Sequence, residues 1–249
     1  MTGLLNSLLR RLGLSVTRLE QQSALLDLDA ADREMVEHCL RFSMTGPERM
    51  RAMLDAVRYV ESAGVGGDIV ECGVWRGGSM MLAALTLKRL DSAARALYLF
   101  DTFEGMTAPT AADVSYDGAP AAATYARMNP GERGSDWCAA SLEDVMQNMQ
   151  QTGYAMSQIR LIKGKVEDTV PAQSPERIAI LRLDTDWYES TRHELQHLYP
   201  RLVRGGVLII DDYGHWQGSR RAVDEYCREQ GIALLLNRID YTGRMALKL

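Results

Sequence analysis

What this chain of 249 residues lacks narrows its chemistry first. Its four cysteines (Cys39, Cys72, Cys138, Cys227) lie far apart and form no C-x-x-C pair. Such spacing suits neither a zinc knuckle nor a dense disulfide framework, and it leads us to expect a reducing, cytoplasmic setting. Positive charge is in deficit: 28 Lys and Arg stand against 33 Asp and Glu, for a net charge of −5. Bulk electrostatics therefore gives no hold on nucleic acid or on an anionic membrane. No apolar run approaches the roughly 18 residues that a membrane span requires. The N-terminus shows neither the apolar region nor the cleavage site of a signal peptide. The hydrophobic share of 46% is that of an ordinary globular protein, and the length supports one sizeable core, with at most a small appendage.

Hydrophobic periodicity organises what is present. Leu4, Leu5, Leu8, Leu9 and Leu12 fall on one helical stripe beside Arg10 and Arg11. Two basic residues are few for a membrane-surface helix, so docking on the protein itself or on another subunit is the expectation, and with it a homo-oligomer. A second helical run covers 30–42. Thr45-Gly46-Pro47-Glu48 reads as a capping box with Thr45 as N-cap, and it opens a helix burying Met50, Met53, Leu54, Val57 and Val60 that ends near Gly64.

From residue 69 strands and helices alternate: strand 69–73, helix 79–90, strand 97–100, helix 141–152, strands 159–163 and 178–183, helix 190–199, strand 207–210 and helix 219–229. The strands are short apolar runs without alternation, as when helices cover both faces. Residues 233–236 and 245–249, on either side of a Tyr-Thr-Gly turn, predict a closing hairpin. The pattern is α/β: a doubly wound, mainly parallel, Rossmann-like sheet with N-terminal helices and a C-terminal antiparallel hairpin. We expect one domain over 1–249, with a helical segment at 1–64 and the core at 65–249. The irregular stretch 102–140 is too long for a plain connection and predicts an active-site lid.

The stretch from Asp68 to Ser79 runs from a strand through glycines into a helix start, which makes a crevice of bare backbone N–H groups. A dinucleotide fingerprint wants a glycine where Trp75 stands, so a pyrophosphate is disfavoured. The pattern is instead E-x-G-x-x-x-G, with Glu71 two residues before Gly73. A carboxylate there suits a ligand with an ammonium end, such as the amino-acid part of S-adenosylmethionine (SAM). A purely structural glycine turn is the plain alternative.

Acids end several strands: Asp101, then Asp184 with Asp186, then Asp211 with Asp212. Ligands of open parallel sheets bind at these carboxyl ends. Asp101, 28 residues past Gly73, can accept from both hydroxyls of a ribose or simply be a solvated loop acid. Asp184, Asp211 and Asp212 are expected to converge; packed together they repel, and a hard divalent cation such as Mg²⁺ relieves the conflict. Helix capping is the plain reading for any one of them. His193-Glu194-Leu195-Gln196-His197 matches H-E-x-x-H, the signature of a zinc-dependent hydrolase, but it falls on a crossover helix expected to run away from the crevice, and Val203 stands where a third histidine belongs.

Eight ordered blocks carry a resemblance: SMTGPERM, VECGVWRGGSMML, FDTFEGM, SLEDV, KGKVEDTVP, RLDTDWYEST, LYPRLVRGG and IIDDYGHWQGSRRAVDEY. In that order, over roughly 43–230, they resemble the TylF/MycF family of metal-dependent macrocin-type sugar O-methyltransferases. The resemblance implies a class I SAM fold and Mg²⁺-assisted methylation of a hydroxyl on a small-molecule acceptor, usually a deoxysugar of a natural product. It implies that Glu71, Gly73 and Ser79 line the methionine end of SAM, that Asp101 holds the ribose, and that Val166 and Glu167 flank the adenine. Asp184, Asp211 and Asp212 would be the metal ligands, Asp184 or Asp211 the proton acceptor ahead of His215, and Thr45 would lie near the cofactor. The least family-like part is 107–137, and a non-catalytic SAM-binding module is disfavoured because it has no use for the aspartates.

Overall fold

The computed structural model describes residues 24–92, 95–128 and 136–249, so the Leu-rich stripe at 4–12 lies outside the described residues. Helices α1 (Ala30–Leu40) and α2 (Pro47–Ser62) precede β1 (Asp68–Cys72), α3 (Gly78–Arg89) and β2 (Leu97–Asp101). Then come α4 (Ala121–Met128), α5 (Leu142–Gln151), β3 (Ile159–Lys163), α6 (Val166–Thr169) and β4 (Ile178–Leu183). Helix α7 (Tyr188–Leu198), β5 (Leu202–Ile210), α8 (Gln217–Gln230), β6 (Asn237–Arg238) and β7 (Arg244–Leu247) complete the chain. The sheet order is β3-β2-β1-β4-β5-β7-β6, parallel through β5 and antiparallel thereafter. The doubly wound α/β expectation holds.

Although the strands do not alternate in sequence, their side chains still point to opposite faces in turn. Ile69, Leu99, Ile180 and Ile209 pack with α1, α2 and α3 on one face. Val70, Phe100, Leu181, Leu208 and Ile210 pack with α7 and α8 on the other. Both faces are dry, which is why apolar residues run without a break.

Local expectations hold unevenly. Ser141 caps α5 by accepting from the Asp144 N–H at 3.2 Å, as expected. Thr45 does not cap α2: the N-cap is Gly46, because Pro47 occupies the first helical position and leaves Thr45 one residue too early. Thr45 instead bonds Ser43 Oγ through its backbone N–H at 3.1 Å. The hairpin's first arm is Asn237–Arg238, not 233–236; the apolar run there packs Leu234 and Leu236 against the second core. Strand β5 begins at Leu202, five residues before the expected start, because Gly205 N–H donates to Lys248 and Gly206 accepts from it, so the glycines continue the ladder. A helix, α4, interrupts the stretch expected to be irregular.

The order reverses beside β1, where β2 and β4 flank it and the ladder runs past the strand ends. Gly73 N–H donates to Phe100, Asp184 N–H to Cys72, and Asp211 N–H to Leu183, at 2.8, 2.9 and 2.9 Å. The approach at Gly73 (φ +80°) is so close that a β-carbon would lie 1.9 Å from the Asp184 carbonyl oxygen. On the same face, Glu71 of β1 lies in register with Arg182 of β4. Arg182 is 2% exposed and pairs with Glu71, Asp184 and Asp211.

Three substitutions, read by urea unfolding, test these contacts, with Gly118 as the uncrowded control. Gly73→Ala should cost at least about 3 kcal/mol, since strain and clash add. Gly118→Ala, also at positive φ but with nothing within 4 Å, should cost only about 1–2 kcal/mol. Arg182→Met should cost roughly 3–5 kcal/mol, because it strands buried carboxylates; a loss below 1 kcal/mol would show that those carboxylates find other partners.

Candidate active site

The carboxyl ends of β1, β4 and β5 place Glu71, Asp184, Asp211 and Asp212 around one cleft, whose other walls include Ser43, Thr45, Ser79 and Arg49. One ligand oxygen each from Asp184, Asp211 and Asp212 comes within 4.8 Å of the others, the one such group of three or more among the described residues. Asp184 and Asp211 are side by side because the ladder carries them there. Asp212 follows, and its Oδ2 accepts from the Asp186 N–H at 3.1 Å.

Carboxylates so close resist ionisation. Withdrawal from water, then repulsion from Asp186, Asp184 and Asp211, pushes the Asp212 carboxyl well above the usual range. Asp184 is also raised, first by loss of solvation and then by Asp211 and Asp186, although Arg182 opposes the shift. Asp186 rises to about 6 mainly through burial, while Trp216 Nε1, donating to its Oδ1 at 2.5 Å, pulls it back. Burial lifts Glu71 to about 7 despite Arg182.

Two guanidiniums answer five carboxylates here. Arg182 donates to Glu71 Oε1, to Asp184 Oδ2 at 2.6 Å and to Asp211 Oδ1. Arg49, reaching in from α2, donates to Asp211 Oδ2 and also pairs with Asp240 at 3.0 Å. Both Asp211 oxygens are therefore engaged. Among the described residues Asp184 is engaged through Oδ2 alone, and its side chain stays 24% exposed to the cleft. Glu71 Oε2 is buried without a hydrogen-bond partner. Such an orphan acceptor beside Ser43, Thr45 and Ser79 fits an ammonium group, and an all-oxygen donor set at Asp184, Asp211 and Asp212 fits a hard divalent cation.

A second cavity adjoins the first beyond Trp75 and is lined by Gly73, Asp101, Met106, Val166, Glu167 and Thr185, among others. Asp101 Oδ2 accepts from the N–H groups of Val74 and Trp75 at 2.8 and 3.1 Å, and Oδ1 from Phe103 at 2.8 Å. It thus shapes the glycine loop besides facing the cavity; burial still holds its carboxyl above the usual range. Ser79, expected at the methionine end, is buried with its Oγ against Met50 Sδ at 3.9 Å. Residues 107–113 are stapled to the start of α7: Trp187 Nε1 donates to Thr107 at 3.0 Å, and the Tyr188 N–H to Asp113 at 2.8 Å. Trp137, Trp187 and Trp216 stack edge-on or tilted against one another.

The H-E-x-x-H residues do not form a metal site. Glu194 is fully buried and faces the sheet, where Thr185 Oγ1 donates to it at 2.9 Å. His193 and His197 stack on each other at 4.4 Å along a different side of α7, His193 against the Val170 carbonyl. His215 lies near the acids but contacts Asp212 only through its backbone N–H.

Arg182 and Arg49 belong to the site although the sequence reading does not include them, and Asp186, read there only as a strand-end acid, joins them. Arg182 had a signal: a charge inside the apolar run Ile-Ala-Ile-Leu-Arg-Leu must find a buried partner. Arg49 had none, being one more arginine on an amphipathic helix.

Comparison with known proteins agrees with this geometry. The macrocin-O-methyltransferase (TylF) family profile matches residues 9–247. A tetracenomycin-C rhamnosyl 4'-O-methyltransferase of Streptomyces olivaceus is 37% identical over 201 residues, 81% of this chain and 73% of the relative. Mycinamicin III 3''-O-methyltransferase of Micromonospora griseorubida is 36% identical over 202 residues, 81% of this chain and 76% of the relative. The solved O-methyltransferase NovP superposes with a TM-score of 0.71 at 34% identity, covering 83% of this chain and 82% of NovP. The chain belongs to the macrocin-O-methyltransferase family and is an O-methyltransferase with the class I SAM-binding fold.

Proposed function

We propose that the chain moves a methyl group from SAM to a hydroxyl on a sugar of a glycosylated natural product, with Mg²⁺ held by Asp184, Asp211 and Asp212. One observation carries the metal part: three carboxylate oxygens gather within 4.8 Å at the ends of β4 and β5, beside a switch point. The sugar part is supported by relatives whose names place their methyl groups on a rhamnosyl unit and at a 3'' position.

A sugar hydroxyl has a pKa far above 7, and Mg²⁺ at these acids would supply the Lewis acidity that lowers it. Asp184, with one oxygen turned to the cleft, is the proton acceptor we favour; Asp211 is committed to two arginines. Glu71 Oε2 would accept from the ammonium end of SAM, with Ser79 and Thr45 in the same cleft and Gly73 lining the adjoining cavity. Asp101, Val166 and Glu167 line the neighbouring cavity that takes the nucleoside. Holding donor and acceptor in line supplies much of the acceleration, since proximity alone is worth roughly 7–11 kcal/mol in well-oriented reactions. In this reading 1–249 works as one methyltransferase domain, 102–140 as its lid, in a cytoplasmic homo-oligomer.

Asp212→Asn keeps an oxygen for the Asp186 N–H and strands no arginine. It should weaken Mn²⁺ binding, followed by electron paramagnetic resonance, at least about tenfold and leave SAM affinity within about twofold. Parallel loss of both affinities would refute separate metal and donor sites. Chelation should stop methyl transfer and added Mg²⁺ restore it; turnover that persists in chelator sinks the metal assignment.

A further inference from the structure

Asp211 brings an oxygen to the cluster of three acids, yet an arginine holds each of the two it has: Arg182 donates to Oδ1 and Arg49 to Oδ2. Whichever oxygen meets a metal ion is therefore one that already carries a guanidinium. The two arginines are not equally able to yield. Arg182 is 2% exposed, stands in the middle of β4 and holds Glu71 and Asp184 as well. Arg49 reaches the cleft from α2, its side chain is 13% exposed, and its second partner, Asp240, lies outside the acid cluster.

Asp240 is placed to receive it. It stands in the turn between β6 and β7, where its Oδ1 accepts from the N–H groups of Thr242 and Gly243 at 2.9 and 2.6 Å. Those bonds fix the carboxylate and leave Oδ2 for Arg49, whose Nε lies 3.0 Å away. The turn itself is fastened to the end of β5, since Thr242 Oγ1 donates to the Asp211 carbonyl at 2.7 Å. Gly243 leaves room for the arginine stem: a β-carbon there would come within 3.1 Å of Arg49 Cγ and Cδ. Asp240 and Asp211 thus meet one guanidinium from two fixed positions.

The guanidinium is not satisfied where it stands. Although Nε is close to Asp240, it is buried and makes no hydrogen bond among the described residues. A buried donor left unpaired costs free energy. Turning the group from Asp211 toward Asp240 would align that N–H with a carboxylate oxygen and release Asp211 Oδ2 in the same movement. Charge points the same way. A positive charge bonded to Asp211 repels a divalent cation at the acids, and drawing it onto Asp240 weakens that repulsion.

We propose that Arg49 is an exchangeable counter-ion of the metal site: it competes with Mg²⁺ for Asp211 Oδ2 and hands that oxygen over by moving onto Asp240. The inference rests on the metal reading above and deepens it. Arg49 and Asp240, neither of them a ligand in that reading, set how tightly the ion is held. Arg49 acts through Asp211, as a positioning residue. A built-in competitor keeps metal binding reversible and keeps the buried Asp211 paired whenever the ion leaves.

The test uses the full chain and Mn²⁺, followed by electron paramagnetic resonance. Arg49→Met should bind Mn²⁺ at least about tenfold tighter than the unaltered protein, because a positive charge has left the acids. Asp240→Asn keeps the Oδ1 bonds but removes the charge that receives Arg49, and it should weaken Mn²⁺ binding at least about threefold. Added to Arg49→Met, the same substitution should change affinity by less than about twofold, since Asp240 acts only through Arg49. A merely structural role would weaken binding in both single variants and could not give opposite signs. Unfolding supplies a second readout. In chelator Arg49→Met should melt below the unaltered protein, and one fixed concentration of Mg²⁺ should raise its midpoint by more. Unchanged or weaker Mn²⁺ binding by Arg49→Met, in a protein whose binding Asp212→Asn still weakens, would overturn the competition and leave the metal reading standing. An equal loss from Asp240→Asn with and without Arg49 would overturn the handover. No Mn²⁺ binding by the unaltered protein, or binding indifferent to Asp212→Asn, would overturn the metal reading and the competition with it. If Arg49→Met does not fold, Asp240→Asn decides alone: weakened Mn²⁺ binding supports the proposal, and unchanged binding overturns it.

Discussion

Arg182 is the charge on which the site depends. It stands in the middle of the sheet, on β4, between Leu181 and Leu183 in the chain and in register with Glu71 of β1 and Ile209 of β5. A guanidinium there is tolerable only because Glu71, Asp184 and Asp211 surround it, and they in turn are tolerable only because of it. Its planar fork can bond several carboxylates at once, which a lysine ammonium on a flexible stem could not do with the same geometry. Through it, three strand ends become one electrostatic unit, and the direction of each carboxylate is set before any ligand arrives.

That unit is deliberately out of balance. Five carboxylates share two arginines, and burial raises Asp184, Asp186, Asp212 and Glu71 above the ordinary carboxylate range. A cation brought among these acids would relieve the mutual repulsion that opposes their ionisation. The β1–β4 switch point supplies the crevice, and the close contact of Gly73 with the Asp184 carbonyl joins the two cavities there.

The covering stretch shows how little sequence distance means at such a site. Asp113, Thr107 and Ser115 come from a segment far from α7 and α8 in the chain, yet they bond Tyr188, Trp187 and Trp216 directly. The H-E-x-x-H motif makes the converse point. Its spacing is correct for a metal, but the orientation of α7 turns Glu194 into the core and stacks the histidines on another side. A motif carries chemistry only where the fold aims it at a ligand.

The chain alone determined the α/β class, the strand that leads into the glycine turn and the acids that close β2, β4 and β5, because apolar period and strand-end polarity are local properties. It also carried the family likeness, in blocks that coincide with the cleft. Ends of elements were less legible: Thr45 against Gly46 as cap, 233–236 against Asn237–Arg238 as strand, and the β5 extension through Gly205 all turn on pairing with distant backbone. Only the tertiary structure decided that Arg49 crosses from α2 to Asp211, that both Asp211 oxygens accept from arginines while Asp184 accepts from Arg182 through Oδ2, and that Tyr116, His215 and Tyr241 meet. Those facts arise from side chains separated by scores of residues meeting in space, and no local pattern of the chain encodes such a meeting.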